Sequence, residues 1–139
     1  MLVGNFKHTI DSKGRVFLPA KYREDLGESI LLIKGSHNCL IAFSEQEWKN
    51  IVDEMTASLD KATASEAKRK LMKKSQLIEP DTQGRIVISA EMRQLGSLTK
   101  DIVFVGMDNC VEIWDNDLLY ADDTSEDVST DTFIKSLGL

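Results

Sequence analysis

Two motifs that place a carboxylate and a guanidinium at the same spacing are the residues of this chain best suited to a chemical role. Asp11 precedes Arg15, and Asp81 precedes Arg85, by four positions, with a glycine directly before each arginine. An arginine guanidinium can donate two hydrogen bonds to a phosphate, or to a guanine in the major groove of DNA, and this groove admits a two-stranded ribbon. The same arginine can instead pair with the aspartate of its own turn. From the residues alone, both roles stay open.

The first motif has the more basic neighbours. The side chains near Arg15 include Lys7, His8, Lys13, Lys21 and Arg23, whereas those near Arg85 are Gln83, Glu91 and Arg93. We therefore expect the first half to be the better anion-binding surface. The candidate nucleic-acid contacts are Arg15, Arg85, Lys13, Lys21, Arg23 and Lys7, and the residues that fix the two turns are Asp11, Gly14, Asp81 and Gly84.

The formal net charge of −6 is concentrated at the C-terminal end of the chain. Residues 1–43 carry +2 and residues 44–75 carry +1, whereas residues 76–114 carry −3 and residues 115–139 carry −6. Because phosphate binding draws on clustered Lys and Arg, this distribution leaves a nucleic-acid partner open for the first half. We expect the acidic string at 121–127 to be solvated and mobile.

The sequence repeats itself. The segment that begins at Asp11 matches the segment that begins at Asp81 at a shift of 70, with 5 of 14 positions identical. A second block, 31–43, matches 102–114 and keeps Gly, Asn and Cys in register. Two copies are too few for a solenoid, so the repeat predicts an α+β domain with pseudo-twofold symmetry.

Each copy is expected to fold around its Asp-x-x-Gly-Arg turn. The aspartate can bond the turn's backbone amides and the glycine can take a positive φ, so residues 7–11 are predicted to pair with 15–18, and 76–81 with 85–88. The other predicted elements are helices at Ala20–Leu26 and Ala90–Leu95, ended by Gly27 and Gly96, and two further strand pairs, Ile30–Lys34 with 40–43 and 102–106 with 111–114.

The connection between the copies is predicted to be helical. Ser44 and Glu47 have the spacing of a capping box, and Trp48, Ile51, Val52, Met55 and Leu59 follow at helical period. A second box, from Thr63 to Glu66, is predicted to open the basic run 68–74, which is more often a solvated face than a phosphate site. The predicted organisation is a first repeat at 5–47, a helical connection at 48–75, a second repeat at 76–119 and an acidic tail at 120–139. Each half alone would bury too little core, so the chain is not split into independent domains.

Composition and spacing exclude several functions. The chain lacks a run of about 20 apolar residues and the basic start of a signal peptide, so we expect a cytoplasmic protein with no membrane partner. His8, His37 and two cysteines without a C-x-x-C pair predict no metal site and no cofactor. No nucleophile with a positioned base is evident, so we expect neither catalysis nor a small-molecule substrate.

The cysteines and tryptophans are expected to be structural. Cys39 and Cys110 occupy matching repeat positions and should pack as small buried groups in a reducing compartment. Trp48 and Trp114 lie within apolar patterns, which favours core or subunit packing over stacking on bases.

The combination of these motifs resembles the MraZ family, the two-copy bacterial members of the AbrB/SpoVT-like group. The resemblance rests on the motifs at Asp11 and Asp81, the central Trp48 helix and the closing Val-Glu-Ile-Trp at 111–114, and it covers about residues 1–120. The departures are Ser89 where the first copy has Pro19, and the acidic tail.

The resemblance implies a swapped-hairpin β-barrel formed by both repeats, ring-shaped homo-oligomers and a nucleoid-associated regulator of the division and cell-wall gene cluster. It also implies binding to short repeated elements of promoter double-stranded DNA, with Arg15 and Arg85 as the leading contacts. The competing hypothesis is a protein-binding scaffold or an antitoxin-like module, since fold alone does not decide function.

Overall fold

The computed structural model describes residues 1–123 and 129–139, without the side chains of Asp122 and Asp123. Its strands are β1 (Asn5–Thr9), β2 (Arg15–Phe17), β3 (Ile30–Lys34), β4 (Cys39–Ser44), β5 (Ser75–Ile78), β6 (Arg85–Val87), β7 (Asp101–Gly106) and β8 (Val111–Asp115). Its helices are α1 (Ala20–Leu26), α2 (Glu45–Ser58), α3 (Lys61–Met72), α4 (Ala90–Leu95), α5 (Asn116–Asp123) and α6 (Thr130–Ser136).

The strands form a six-stranded antiparallel sheet in the order β1-β7-β8-β4-β3-β5 and a separate ribbon of β2 and β6. Each strand of the first copy occupies the position that its counterpart of the second copy occupies when the order is read from the other end. This is the pseudo-twofold arrangement that the repeat predicts. Strands β1 and β5 are edges and do not pair with each other, so the described residues contain no closed barrel. The predicted β-barrel is therefore not closed within the described residues, whereas the α+β class is confirmed.

The predicted pairing across each Asp-x-x-Gly-Arg turn is wrong, whereas the predicted pairing of β3 with β4, and of β7 with β8, is confirmed. Strand β1 pairs with β7 of the second copy, β5 pairs with β3 of the first, and β2 pairs with β6. Each turn thus sends its two flanking strands to different partners. Because β2 pairs with β6, Val16 and Ile86 lie opposite each other and are buried on the inner side of the ribbon. This apolar contact joins the two copies.

The sheet has an apolar layer on each face because alternate residues of a strand point to opposite sides. We call the layer between the sheet and the ribbon the first core; it contains Leu32 of β3 together with Val16, Ile86 and Tyr22. The second core lies on the other face and contains Leu31, Ile33 and Phe43, covered by Trp48 and Ile51 of α2 and Leu71 of α3. The helical connection and the ribbon therefore lie on opposite faces of the sheet.

The helix ends confirm most of the sequence signals. Helices α1 and α4 have the predicted bounds and end before Gly27 and Gly96. Ser44 caps α2 by accepting a hydrogen bond from the Glu47 N–H at 3.1 Å. The predicted start at Thr63 is wrong, because Asp60 caps α3 and accepts from the Thr63 N–H at 2.8 Å. Aspartate is the stronger N-cap, so the helix begins earlier.

The tail contains more regular structure than its composition predicts. Helix α5 ends at Asp123, and α6 begins at Thr130, after residues 124–128, which lie outside the described residues. We expect the acidic string at 121–127 to be mobile, and residues 124–127 of that string lie outside the described residues.

Candidate nucleic-acid interface

Each turn is closed around its aspartate. Asp11 Oδ1 accepts hydrogen bonds from the backbone N–H groups of Lys13 and Arg15, both at 2.9 Å. Gly14 takes a φ of +82°, and its N–H donates to the Asp11 carbonyl at 3.0 Å. The second turn repeats these bonds around Asp81. The predicted turn chemistry is confirmed in both copies.

Each arginine of a motif is tethered to the aspartate of its own turn. Arg15 Nε donates to Asp11 Oδ2 at 2.6 Å, and Arg85 Nε donates to Asp81 Oδ2 at 2.9 Å. The arginine side chains remain 44% and 35% exposed. Among the described residues, no hydrogen-bond partner engages the terminal nitrogens of either guanidinium. The pairing within the turn therefore leaves the outer fork of each arginine available for an external acceptor.

The same contacts keep both aspartates ionised. The Arg15 backbone N–H, followed by its guanidinium, holds the pKa of Asp11 below its usual value. The Arg85 backbone N–H is the largest cause of the lowered pKa of Asp81. At neutral pH each turn therefore carries a fixed carboxylate that orients its arginine.

The ribbon brings the two arginines onto one surface. In its register Arg15 lies opposite Val87, and Phe17 lies opposite Arg85. Val16 and Ile86, between them, point into the first core. Arg15 and Arg85 are therefore diagonal neighbours on the outer face, where such residues lie about 7–8 Å apart. We call this surface of Arg15, Phe17, Arg85 and Val87 the outer ribbon face.

Two further arginines pack against the turns, and they do so across the copies. The guanidinium of Arg23, on α1, covers Gly84, where an added Cβ would lie 2.1 Å from Cζ. Its Nε donates to the Leu18 carbonyl at 3.1 Å. Arg93, on α4, lies over Gly14, where an added Cβ would be 3.3 Å from Cζ. Each short helix thus supports the turn of the other copy.

This exchange changes the surroundings inferred from the sequence. Arg23, which is close to the first turn in the chain, lies at the second turn, and Arg93 lies at the first. Sequence reasoning left Arg93 out of the candidate site. The signal that could have found it is its position, which matches Arg23 at the repeat shift of 70.

The remaining basic candidates are divided between the two faces of the sheet. Lys13 is exposed at the first turn, where the second turn has Gln83, and Lys21 is exposed on α1. Lys7 belongs to β1, whose Phe6 and His8 contact Tyr22 and Phe104 of the first core. Because side chains alternate, Lys7 points to the other face. The basic run at 68–74 belongs largely to α3 and also lies on that face.

The cysteines and tryptophans have structural environments. Cys39 is buried, Cys110 is half-buried, and both are free thiols. Burial raises the pKa of each thiol to about 11. Trp114 is buried, and Trp48 packs on the second core. The expectation of packing is confirmed for these four residues.

Neither a metal-binding cluster nor a membrane-spanning helix is found among the described residues. Within residues 1–123 and 129–139, no group of three or more His, Cys, Asp or Glu side chains is placed to hold a metal ion. No helix in that same part of the chain is long and apolar enough to cross a bilayer.

In a comparison with known proteins, one family model matches both copies of the repeat. The family model described as "MraZ protein, putative antitoxin-like" matches residues 1–70 and 71–129. A relative named Transcriptional regulator MraZ, from Caldanaerobacter subterraneus subsp. tengcongensis, is 42% identical over 99% of this chain and 96% of its own length. Relatives with the same name are 41% identical in Thermoanaerobacter sp. strain X514, over 99% and 96%, and 33% identical in Acetivibrio thermocellus, over 100% and 98%. These relatives bear the name of a regulator and not of an enzyme.

Proposed function

The chain belongs to the MraZ family, and on that premise we propose that it is a transcriptional regulator that binds specific DNA sequences through its outer ribbon face. The observation that carries the proposal is the pair of tethered arginines, Arg15 and Arg85, which lie on one two-stranded ribbon with partly exposed side chains. A ribbon of this kind fits the major groove, where an arginine fork matches guanine O6 and N7.

The other candidates take supporting roles. Lys13 and Lys21 would contact phosphates on either side of the groove, and Arg23 would hold the second turn while adding positive charge. Asp11 and Gly14, with Asp81 and Gly84, set the shape of the turns. We assign Lys7 no contact in the same duplex because it points to the opposite face.

The finer features that the family resemblance implies belong to the same proposal. They are a target in the promoter of the division and cell-wall gene cluster, short repeated operator elements, a ring-shaped homo-oligomer and a cytoplasmic, nucleoid-associated location. We also propose the repeat boundaries 5–47 and 76–119, with a connection at 48–75 and a tail at 120–139. The strand exchange between the copies supports the swapped-hairpin arrangement.

A ring would resolve the conflict between DNA binding and the net charge of −6. Each ribbon offers few contacts, so a single one should bind weakly. Several ribbons held at fixed spacing raise the effective concentration of each for the next repeat of the operator. Repeated operator elements and oligomerisation would then act together.

The test compares the full chain on two duplexes, one from upstream of its own gene and one with the same bases shuffled. Fluorescence anisotropy over a salt series should give tighter binding to the native sequence, and Arg15→Ala should abolish that preference while the oligomer stays intact. Arg69→Ala on α3 is the matched control, because Arg69 is exposed on the opposite face of the sheet. It should keep the preference.

Equal binding to both duplexes by the parent protein would contradict the proposal. So would loss of the oligomer or the fold in Arg15→Ala, since that result would make the Asp11–Arg15 pair purely structural.

The second candidate is a protein-binding, antitoxin-like module, which the description of the matching family model favours. An antitoxin usually wraps its partner with an extended segment that carries apolar anchors. In this chain the tail would supply them, and Phe133 and Leu137 of its last turns are exposed. A small toxin gene beside this gene, and no DNA preference, would favour that candidate.

A further inference from the structure

The outer ribbon face carries two large apolar side chains beside its arginines. Phe17 and Val87 occupy matching positions of the two copies, and each is 50% exposed. Their neighbours on the inner side of the ribbon, Val16 and Ile86, are almost completely buried. The first core is thus filled from the inner side, and Phe17 and Val87 are not needed to complete it.

The register of the ribbon places each apolar side chain next to a guanidinium. Phe17 lies directly opposite Arg85, and Val87 lies directly opposite Arg15. Directly opposed residues have Cβ atoms about 4.5–5.5 Å apart, which is between one and two base-pair steps of about 3.4 Å. An arginine on a guanine would therefore bring its apolar partner to the edge of a base one or two steps away.

The chemistry of that edge is specific. In the major groove thymine presents a 5-methyl group, which is the one methyl group among the four base edges. The arginines draw the ribbon to a polyanion, so the occupant of this face is DNA and not an apolar protein surface. A half-exposed aromatic ring beside a guanidinium then has the methyl group of thymine as its fitting contact.

We propose that Phe17 is a specificity-determining residue that recognises a thymine next to the guanine read by Arg85, through contact with the thymine 5-methyl group. This inference rests on the proposed function, because it assigns to the same ribbon a second element of base recognition. Val87, the smaller side chain of the pair, makes the corresponding and weaker contact beside Arg15.

The test replaces thymine by uracil, which keeps the base pair and removes only the methyl group. The full chain is titrated against its upstream duplex with thymine or with uracil at every thymine position of one strand, then of the other. Each contacted thymine that loses its methyl group should weaken parent binding about fourfold. Phe17→Ala should bind the thymine duplex correspondingly more weakly and should lose most of the difference between the two duplexes, keeping only the smaller part that is due to Val87.

Two variants serve as controls. Leu77→Ala removes a side chain that is 62% exposed on β5, outside the ribbon, and should keep the parent's sensitivity to uracil. Val87→Ala should keep most of that sensitivity. Because Phe17 is half-exposed, its truncation should leave the thermal unfolding midpoint close to that of the parent.

The outcomes separate this inference from the proposed function. If the parent prefers its upstream duplex and loses that preference with Arg15→Ala, yet is indifferent to uracil, the role of Phe17 is refuted and the regulator stands. Equal sensitivity of Phe17→Ala and the parent to uracil also refutes it. A parent with no sequence preference refutes both.

Discussion

Replacing Gly14 with alanine tests the central packing of the two turns. Gly14 has a φ of +82°, and a Cβ there would lie 2.3 Å from the Ile88 carbonyl oxygen. The Ile88 N–H donates to the Gly14 carbonyl at 2.9 Å, so neither backbone can move without loss of that bond. A left-handed alanine costs about 1–2 kcal/mol, and the backbone overlap adds about 1–3 kcal/mol. We expect Gly14→Ala to lower the free energy of unfolding by about 3 kcal/mol.

Gly84 provides the matched control, because it occupies the equivalent position of the second turn with a φ of +81°. The atoms nearest to an added Cβ at Gly84 belong to the Arg23 guanidinium, the end of a flexible side chain, which can swing away. Gly84→Ala should therefore cost less than Gly14→Ala, about 2 kcal/mol.

Urea unfolding at one fixed protein concentration, followed by circular dichroism, measures both variants. Gly14→Ala should be more destabilising than Gly84→Ala. Equal destabilisation by the two variants would refute the reasoning, because it would mean that the Ile88 backbone of the other copy gives way as easily as the Arg23 side chain.

Two further predictions concern titratable groups. The folded-state pKa of Asp11 is lowered, so its carboxylate stabilises the fold above its ordinary pKa, and this contribution is lost as the pH falls through the lowered value. Asp11→Asn should therefore destabilise the chain at pH 7 and not at pH values below that range. Urea titrations at both pH values measure this difference. A deficit of Asp11→Asn that is the same at both pH values would contradict this. The thiols of Cys39 and Cys110, with pKa values of about 11, should react slowly with a thiol reagent at pH 8 in the native protein and rapidly in denaturant, and fast native labelling of Cys39 would contradict its burial.

The local elements were predictable because their signals are local. The turn chemistry of Asp11 and Asp81, the stops at Gly27 and Gly96 and the cap at Ser44 each depend on a few consecutive residues, and the structure has them where the sequence places them. The choice between two nearby capping residues was wrong, because Asp60, the stronger N-cap, takes the place predicted for Thr63.

The pairing of the strands that flank the two turns was not predictable from the same signals. The two copies carry nearly the same apolar pattern, so a strand such as β2 finds an equivalent partner in its own copy or in the other. Sequence neighbours usually pair, whereas here the burial of Val16 against Ile86 selects the other copy. The exchange of Arg23 and Arg93 between the turns follows from that choice and has no local signal.

The candidate site was predicted in its leading residues and not in its geometry. The repeated motif pointed to Arg15 and Arg85, but their common surface depends on the ribbon register. The apolar half of that surface, Phe17 and Val87, looked like ordinary strand residues, since a strand of three residues gives no periodicity that separates an inner face from an outer one.

The most direct test of the account is the specificity of Arg15→Lys. Lysine keeps the positive charge but lacks the planar fork that Asp11 holds in position. The ratio of affinities for the upstream and shuffled duplexes, measured at one salt concentration, should fall at least tenfold in this variant, while binding to the shuffled duplex stays near that of the parent. An unchanged ratio would contradict the account, because Arg15 would then act on phosphates alone.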